Sequence, residues 1–348
     1  MTDLDAPPPS ASRRRSAWLS PGRIAATGLI LLVLAIVIAW LVPADGYEML
    51  LVDPAHPVAP LVRISGHRVS NPPGSVYFVD VRERQAQLIE RLVPWVRSNG
   101  SSLVRTPPIS SSLENRIAQV DMTDSQKIAP YVALRLLGYR VATRSRGVIV
   151  LDVQRGAPSA KVLRPNDVIV AVNGHAVPTV TELRALLSHK SPGDAVTMRF
   201  RHQGQTRLAR VRTISNPAEP GRALIGIDAS DDLQVKLPFP VMISVPGVTG
   251  PSAGLAFALE ILRRLGRNVT HGRKVAATGE LAPDGRVLPI GGVKQKTLGA
   301  RRAHVDVFLV PAGENAREAR KYADGLRIVP VENIQQALRA LATLAPEP

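Results

Sequence analysis

Hydrophobic and polar positions along the chain change period several times, and each change marks an element. Ile24 to Val42 contains no charged residue, a run long enough, at about 1.5 Å per helical residue, to cross a bilayer core. Tyr47 to Val52, Pro60 to Ile64 and Val76 to Val81 are short β-prone runs, with Asn71-Pro-Pro-Gly74 as a turn between the last two; they predict a small sheet. Gln85 to Arg97 is helix-like, and Asn99 to Ser112, rich in Ser and Pro, is a loop. Leu113 to Gly138 returns to helical spacing, with Thr123-Asp-Ser-Gln126 as a start and Ile128, Val132 and Leu136 on one face. Beyond it, Gly147 to Val153 and Leu163 to Gly174 are β-rich, Thr181 to Leu187 is helical, and Pro192-Gly-Asp turns into another strand. A polar linker, Ser215 to Pro220, precedes strands at Ala223 to Ala229, Gln234 to Val245, Lys274 to Thr278 and Val305 to Pro311. Helices follow at Ala316 to Tyr322 and Ile334 to Leu344. The pattern predicts a multidomain α+β chain with an N-terminal transmembrane helix, a small β-rich domain and an α/β domain.

The stretch with chemical character is Val241 to Leu262. Its first five residues are β-prone, Pro246 and the glycines at 247, 250 and 254 interrupt the run, and Leu255, Leu259 and Leu262 recur at helical spacing. Strand, tight loop and helix put Ser252 at or just before a helix N-terminus, where free backbone N–H groups and the helix dipole stabilise an oxyanion. A serine there serves as a nucleophile or simply caps the helix. A nucleophilic serine without a histidine needs another base, and a desolvated lysine can supply it. If Gly291-Gly292 opens a helix, Val293, Lys296, Thr297, Ala300 and Ala303 share a small, apolar face, whereas Lys294 falls with Leu298, Arg301 and Arg302. Lys296 is then the buried lysine and Lys294 the solvated one, the competing reading being that Lys296 snorkels past the helix edge.

Gly-Pro-Ser252-Ala-Gly, Thr278-Gly-Glu280 and Leu-Pro-Ile-Gly-Gly-Val-Lys-Gln-Lys296, in this order and spacing, resemble the proteolytic domain of Lon proteases. The resemblance implies a Ser–Lys dyad: Ser252 as nucleophile, Lys296 as general base and Thr278 hydrogen-bonded to the lysine. The backbone N–H groups of Ser252 and Ala253 would form the oxyanion site. Thr249 departs from the acidic residue that many Lon enzymes carry before this loop. The helix with Met122 and Asp-Ser-Gln resembles the one preceding the catalytic strand of Lon domains, which makes residues 45–140 the first part of that domain and residues 221–346 the catalytic part. The family also implies a homo-oligomeric ring, although the residues do not give its number.

Residues 141–213, with Gly147-Val-Ile-Val-Leu-Asp-Val, Gly156-Ala-Pro-Ser-Ala and Leu163-Arg-Pro-Asn-Asp-Val-Ile-Val-Ala-Val-Asn-Gly174, resemble a PDZ domain of the bacterial protease-associated type. PDZ domains add an extended peptide as a further strand and hold its carboxylate on backbone N–H groups. By position that loop is Arg146 with Gly147, Val148 and Ile149, and Leu183 to Leu187 line the opposite wall.

Charge sets the topology. Arg13, Arg14, Arg15 and Arg23 precede the apolar run, so residues 1–23 are expected to stay cytoplasmic as a basic tail, residues 24–43 to span the cell membrane once, and the rest to lie outside it. A cleaved signal is the alternative, with Val42-Pro-Ala44 as its site, but the run exceeds the usual ~7–15 residues of a signal core. The net charge of +16 is concentrated in residues 24–215, which carry 23 basic and 13 acidic residues. No basic stripe interleaved with aromatics occurs, so nucleic acid is not an expected partner; protein or peptide substrates and the membrane are. The chain has no cysteine, which excludes disulfides and thiolate chemistry, and no metal or cofactor is expected.

Gly250-Pro-Ser252-Ala-Gly254 also fits a hydrolase nucleophile elbow, but that reading needs an acid and then a histidine downstream, and His271 and His304 are poorly spaced for it. No G-x-x-x-x-G-K-[ST] occurs, so the expected protease is independent of ATP. The non-enzymatic alternative is a membrane-anchored PDZ adaptor with an inactive protease domain, against which Ser252, Thr278 and Lys296 stand together. The sequence thus leads to a membrane-anchored Lon-like serine endopeptidase whose PDZ domain recruits or gates extracytoplasmic substrates.

Overall fold

A computed structural model of the chain describes residues 21–106 and 111–344. The arginine-rich stretch at 13–15 lies outside the described residues. The described residues divide into two compact units: residues 21–49, 84–99 and 103–106 belong to one, and residues 50–83, 100–102 and 111–344 to the other.

The first unit contains a 21-residue helix, Pro21–Leu41, exposed along its described length except at Ala39. It is long and apolar enough to cross a membrane, a property it shares with a signal sequence. Pro43–Val52 lies in a three-stranded sheet between Val81–Gln87 and Ser102–Arg105. The helix expected over Gln85 to Arg97 is much shorter: strand persists to Gln87, the helix covers Leu88–Leu92, and Pro94–Val96 is a single 3₁₀ turn. Two contacts fix its start, the Gln87 N–H donating to Glu90 Oε2 at 2.9 Å and Arg84 paired with the same carboxylate. Pro94, which lacks an N–H, accompanies its stop.

The second unit is built on a five-stranded sheet in the order His56–Pro57, Ser75–Phe78, Lys274–Ala277, Val307–Pro311, Arg327–Val331. The last four strands are parallel, and helices Val293–Arg302 and Glu314–Lys321 supply crossovers between them. Side chains alternate across the central strands. Val275, Ala277, Val307 and Leu309 pack with helix Gly254–Arg264 and with helix Ser111–Leu136, whereas Ala276, Phe308 and Val310 pack with Val293, Ala300, Ala316 and Ala319. Burial on both faces is what parallel strands require. The small sheet expected from the three early β-prone runs does not form. They separate instead: Pro43–Val52 joins the sheet above, Val62–Ile64 pairs with Val241–Ile243, and Ser75–Phe78 pairs with Lys274–Ala277. Alternation identifies a strand but not its partner, and here the partners lie far along the chain.

The long helix starts at Ser111, within the stretch expected to be loop and well before Thr123. Thr123 is mid-helix, its hydroxyl donating to Gln119 O at 2.8 Å, a bond that satisfies the polar group inside the helix. After it the chain enters a second sheet, ordered Gln205–Arg212, Ala195–His202, Val168–Val172, Ala142–Val153, Ile227–Lys236. This sheet and helix Val180–Ser188 enclose a core of their own, with Val148, Ile169, Leu183, Val196, Met198 and Phe200 buried in it. The chain leaves along Ile227–Lys236, antiparallel to its entry strand, and goes on to Val241–Ile243.

Candidate active site

The Ser252 loop is held from two sides. The Gly250 N–H donates to Ala118 O at 2.9 Å and the Ser125 hydroxyl to Pro251 O at 2.9 Å, so the long helix grips the loop at two successive residues. From the sheet side, the Gly279 N–H and the Thr278 hydroxyl both donate to the Ser252 carbonyl, at 2.8 Å and 3.2 Å. The helix that follows begins at Gly254 with Ala253 as its cap residue, and no side chain caps it. The reading of Ser252 as an N-cap is therefore removed. Its hydroxyl is committed to no other described residue, and the N–H groups of Ser252 and Ala253 likewise have no acceptor among the described residues. Thr278 is fully buried, and its hydroxyl fastens the serine backbone where the family resemblance implied a bond to the lysine.

The lysine stands on the helix Val293–Arg302. Gly292 precedes it at φ +68°, and a Cβ there would lie 2.7 Å from Val81 Cγ2, so a glycine meets both the left-handed backbone and the close approach. Lys296 is buried as its spacing predicts, but Lys294 is not the solvated residue expected. Lys296 is only 5 % exposed, and burial lowers its pKa to about 8 against the opposing charges of Asp80 and Glu83. Lys294 is half-buried and donates to Ser101 O at 3.1 Å and Ser102 Oγ at 3.4 Å. Lys296 can therefore lose its proton near neutral pH at small cost.

Both candidate groups belong to the C-terminal edge of the parallel sheet, where open α/β sheets bind ligands. Ser252 is bonded to the residues that end Lys274–Ala277, and Asp80, whose charge acts on Lys296, follows the neighbouring strand Ser75–Phe78. No hydrogen bond joins Ser252 Oγ to Lys296 Nζ among the described residues; in unliganded enzymes such bonds are often long and tighten on binding.

Two contributors escaped the sequence reading. Ser125 sits in the Asp-Ser-Gln stretch read as a helix start, and its partner is 126 residues away. Asp80 lies within the β-prone run Val76 to Val81 and carries no motif; burial and then the Asp53 carboxylate push its pKa up. Asp53, His56 and Asp80 bring ligand-type atoms within 4.8 Å of one another, but Arg82 already pairs with Asp53 at 2.9 Å and His56 Nε2 with the same carboxylate at 2.9 Å. That is an ion-pair cluster with its positive charge supplied. Glu280 is also raised, by burial and then by Asp121 and Asp124.

The proposed carboxylate loop of the small domain is not a free loop. Gly147, Val148 and Ile149 lie inside the strand Ala142–Val153, and Val148 and Ile149 are paired on both edges, with Ile169 and Val168 on one side and Asp231 and Ser230 on the other. Gly147 itself is at φ +129°, and a Cβ there would lie 2.3 Å from Ile169 O.

Two stretches of the chain match known protein families. Residues 226–343 match the Lon protease (S16) C-terminal proteolytic domain, and residues 136–213 match the PDZ domain. Lon protease 1 of Myxococcus xanthus is 45 % identical over 103 residues, and the Lon protease of Buchnera aphidicola 42 % over 94; these stretches cover 28 % and 26 % of the chain and 12 % of each relative. The PDZ domain of the SdrC-like protein of Listeria monocytogenes is 27 % identical over 24 % of the chain and 86 % of that structure, with a TM-score of 0.23. This chain therefore carries a Lon-type C-terminal proteolytic domain together with a PDZ domain.

Proposed function

We propose that this protein is a membrane-anchored, ATP-independent serine endopeptidase in which Ser252 attacks the scissile carbonyl, Lys296 takes its proton, and the N–H groups of Ser252 and Ala253 receive the oxyanion. The observation that carries this reading is the buried Lys296 with its pKa lowered to about 8, on the same sheet edge as a serine whose hydroxyl is uncommitted. In the first step the serine oxygen bonds to the carbonyl carbon as its proton passes to the neutral amine; the lysine then protonates the leaving amine, and water releases the acyl group by the same route. Thr278 acts on the nucleophile, by fixing the Ser252 carbonyl and hence the backbone on which the hydroxyl and both N–H donors are carried. On this reading the catalytic domain has two parts, 45–140 and 221–346, and the PDZ domain at 141–213 is inserted between them.

A peptide boronate tests the nucleophile directly, since boron forms a tetrahedral adduct with an activated serine oxygen. Boron NMR of the folded protein should show the tetrahedral adduct and find none in Ser252→Ala; an adduct of equal yield in Ser252→Ala would defeat the assignment. The pH dependence tests the base. An amine that must be neutral is inactive below its pKa, so kcat/KM should climb with pH and reach half its plateau near the lysine value of about 8. A profile flat from pH 6 to 9 would be incompatible with Lys296 as the base.

Membrane attachment rests on the Pro21–Leu41 helix and its orientation on the arginines before it. Protease added to cells stripped of their outer layers should shave off the PDZ and catalytic domains and leave the first twenty residues protected. Protection of the catalytic domain would reverse the topology and move the substrates into the cytoplasm. With no nucleotide-binding motif in the chain, the substrates proposed are extracytoplasmic proteins or segments that are already extended.

A further inference from the structure

A single apolar helix holds a protein at a membrane but leaves the body behind it free to swivel. The unit that contains helix Pro21–Leu41 carries a second apolar feature. Outside that helix and Val42, the large hydrophobic side chains exposed among the described residues are Leu92, Trp95, Leu208 and Met242. The first two stand three positions apart, 64 % and 84 % exposed, in the same unit as the helix. Their place is fixed by a backbone bond. The Leu88 N–H donates to Val42 O at 2.9 Å, which ties the start of helix Leu88–Leu92 to the last residue of the apolar run Ile24 to Val42. With that run across the hydrocarbon core, Val42 marks the edge of the core. Leu92 lies one turn past Leu88, about 6 Å along a helix, and headgroups add about 5–7 Å on each side of the core. Whichever way the short helix points, Leu92 stays at the level of the headgroups or the adjoining acyl chains. Trp95 follows in the turn Pro94–Val96, and tryptophan, apolar in its body and polar at its N–H, is a side chain that membrane interfaces enrich.

Charge decides what covers these two side chains. From Arg84 to Arg97 the only acidic residue is Glu90, and it is 2 % exposed and bonded to Arg84 at 2.9 Å. Arg84 and Arg91 are exposed and Arg97 is half-buried, with the Arg91 guanidinium 4.6 Å from the centroid of the Tyr47 ring. The segment therefore shows positive charge beside its apolar pair and no exposed negative charge of its own. Apolar side chains rimmed by arginines match acyl chains under a layer of phosphates. We propose that Leu92 and Trp95 enter the headgroup layer of the bilayer that the Pro21–Leu41 helix crosses, so that Leu88–Arg97 is a second membrane contact whose arginines are answered by lipid phosphates. The inference rests on the membrane-anchored reading and is independent of the dyad. Two points of attachment fix the tilt of this unit on the membrane, which one helix does not.

The chain has no cysteine, so a nitroxide on an introduced one reports a single place. The test uses the full chain with Ser252→Ala and one of Leu92→Cys, Trp95→Cys or Leu31→Cys, in nanodiscs of phosphatidylethanolamine and phosphatidylglycerol. The readout is collision of the nitroxide with oxygen, which concentrates in lipid, and with a nickel chelate, which stays in water. Labels at 92 and 95 should meet oxygen more often than the chelate. Labels there that favour the chelate would leave this face in water, and labels shielded from both would put a protein on it; either result overturns the proposal. The label at 31, in the middle of the helix, separates the two ways of failing. If it favours oxygen while 92 and 95 do not, the anchor stands and only the second contact falls; if it favours the chelate, the anchor falls and takes the contact with it. Should a cysteine variant misfold, Trp95 reports without being changed. With Trp18→Phe and Trp40→Phe, lipids brominated on their acyl chains should quench its emission, and unquenched emission would overturn the proposal equally.

Discussion

Lys296→Arg should abolish peptide cleavage, lowering kcat/KM on the order of 10⁴-fold, as loss of one member of a nucleophile–base unit does, while the protein stays folded. Arginine keeps the positive charge that Asp80 and Glu83 offset at this site but does not deprotonate in a protein, so it cannot take the serine proton. The neighbouring control separates chemistry from charge. Lys294, half-buried, donates to Ser101 and Ser102 from the other face of the helix, and Lys294→Arg, which keeps the charge and the donors, should leave kcat/KM within about threefold of the parent. Steady-state kinetics on a short fluorogenic peptide, with thermal unfolding measured on the same preparations, checks both. Comparable activity in the parent and Lys296→Arg would remove the lysine from the mechanism.

The largest stability effect is expected at a buried ion pair on the serine helix. Glu260 is fully buried, and Arg263 meets it through Nε at 2.8 Å and Nη2 at 2.9 Å. Arg263 also donates to Pro72 O at 2.7 Å and Gly74 O at 3.3 Å, which ties the helix carrying the serine loop to the Asn71-Pro-Pro-Gly74 turn. Glu260→Ala leaves a buried guanidinium without its counter-charge, which costs about 3–5 kcal/mol. Denaturant unfolding followed by far-ultraviolet circular dichroism should show a loss of this size, and a change below about 1 kcal/mol would mean that water or a shifted side chain replaces the carboxylate. Because this pair orients the helix and touches neither dyad residue, the surviving folded fraction should keep its pH profile.

What could be read from the residues was whatever is encoded locally. The interrupted strand–loop–helix pattern around Ser252, the two-faced helix carrying Lys296 and Lys294, and the turn-punctuated β-rich stretch from 147 to 201 each declare themselves within a few residues. Long-range pairing does not. Val62–Ile64 finds Val241–Ile243 and Ser75–Phe78 finds Lys274–Ala277 across most of the chain, and nothing in four apolar residues names the partner. The same limit hid Ser125, whose role is set by a carbonyl on a distant loop, and Asp80, which matters because folding brings its charge to Lys296. It also hid the state of the PDZ edge. Ala223 to Ala229 and Gln234 to Val245 read as strands leading to the serine, and only the register with Ala142–Val153 reveals one strand, Ile227–Lys236, paired along that edge. The Thr278 case is different: its position was legible, and its bond went to the Ser252 carbonyl, a backbone partner that no side-chain pattern names.

The measurement that bears most directly on the central claim compares the full chain in detergent with its Ser252→Ala variant on an unfolded protein, without nucleotide, at a pH above the Lys296 value. The parent should produce a ladder of fragments that ATP does not accelerate, and Ser252→Ala, folded to the same thermal midpoint, should produce none. Fragments of the same pattern and yield from Ser252→Ala, or none from the parent, would contradict a Ser252–Lys296 endopeptidase.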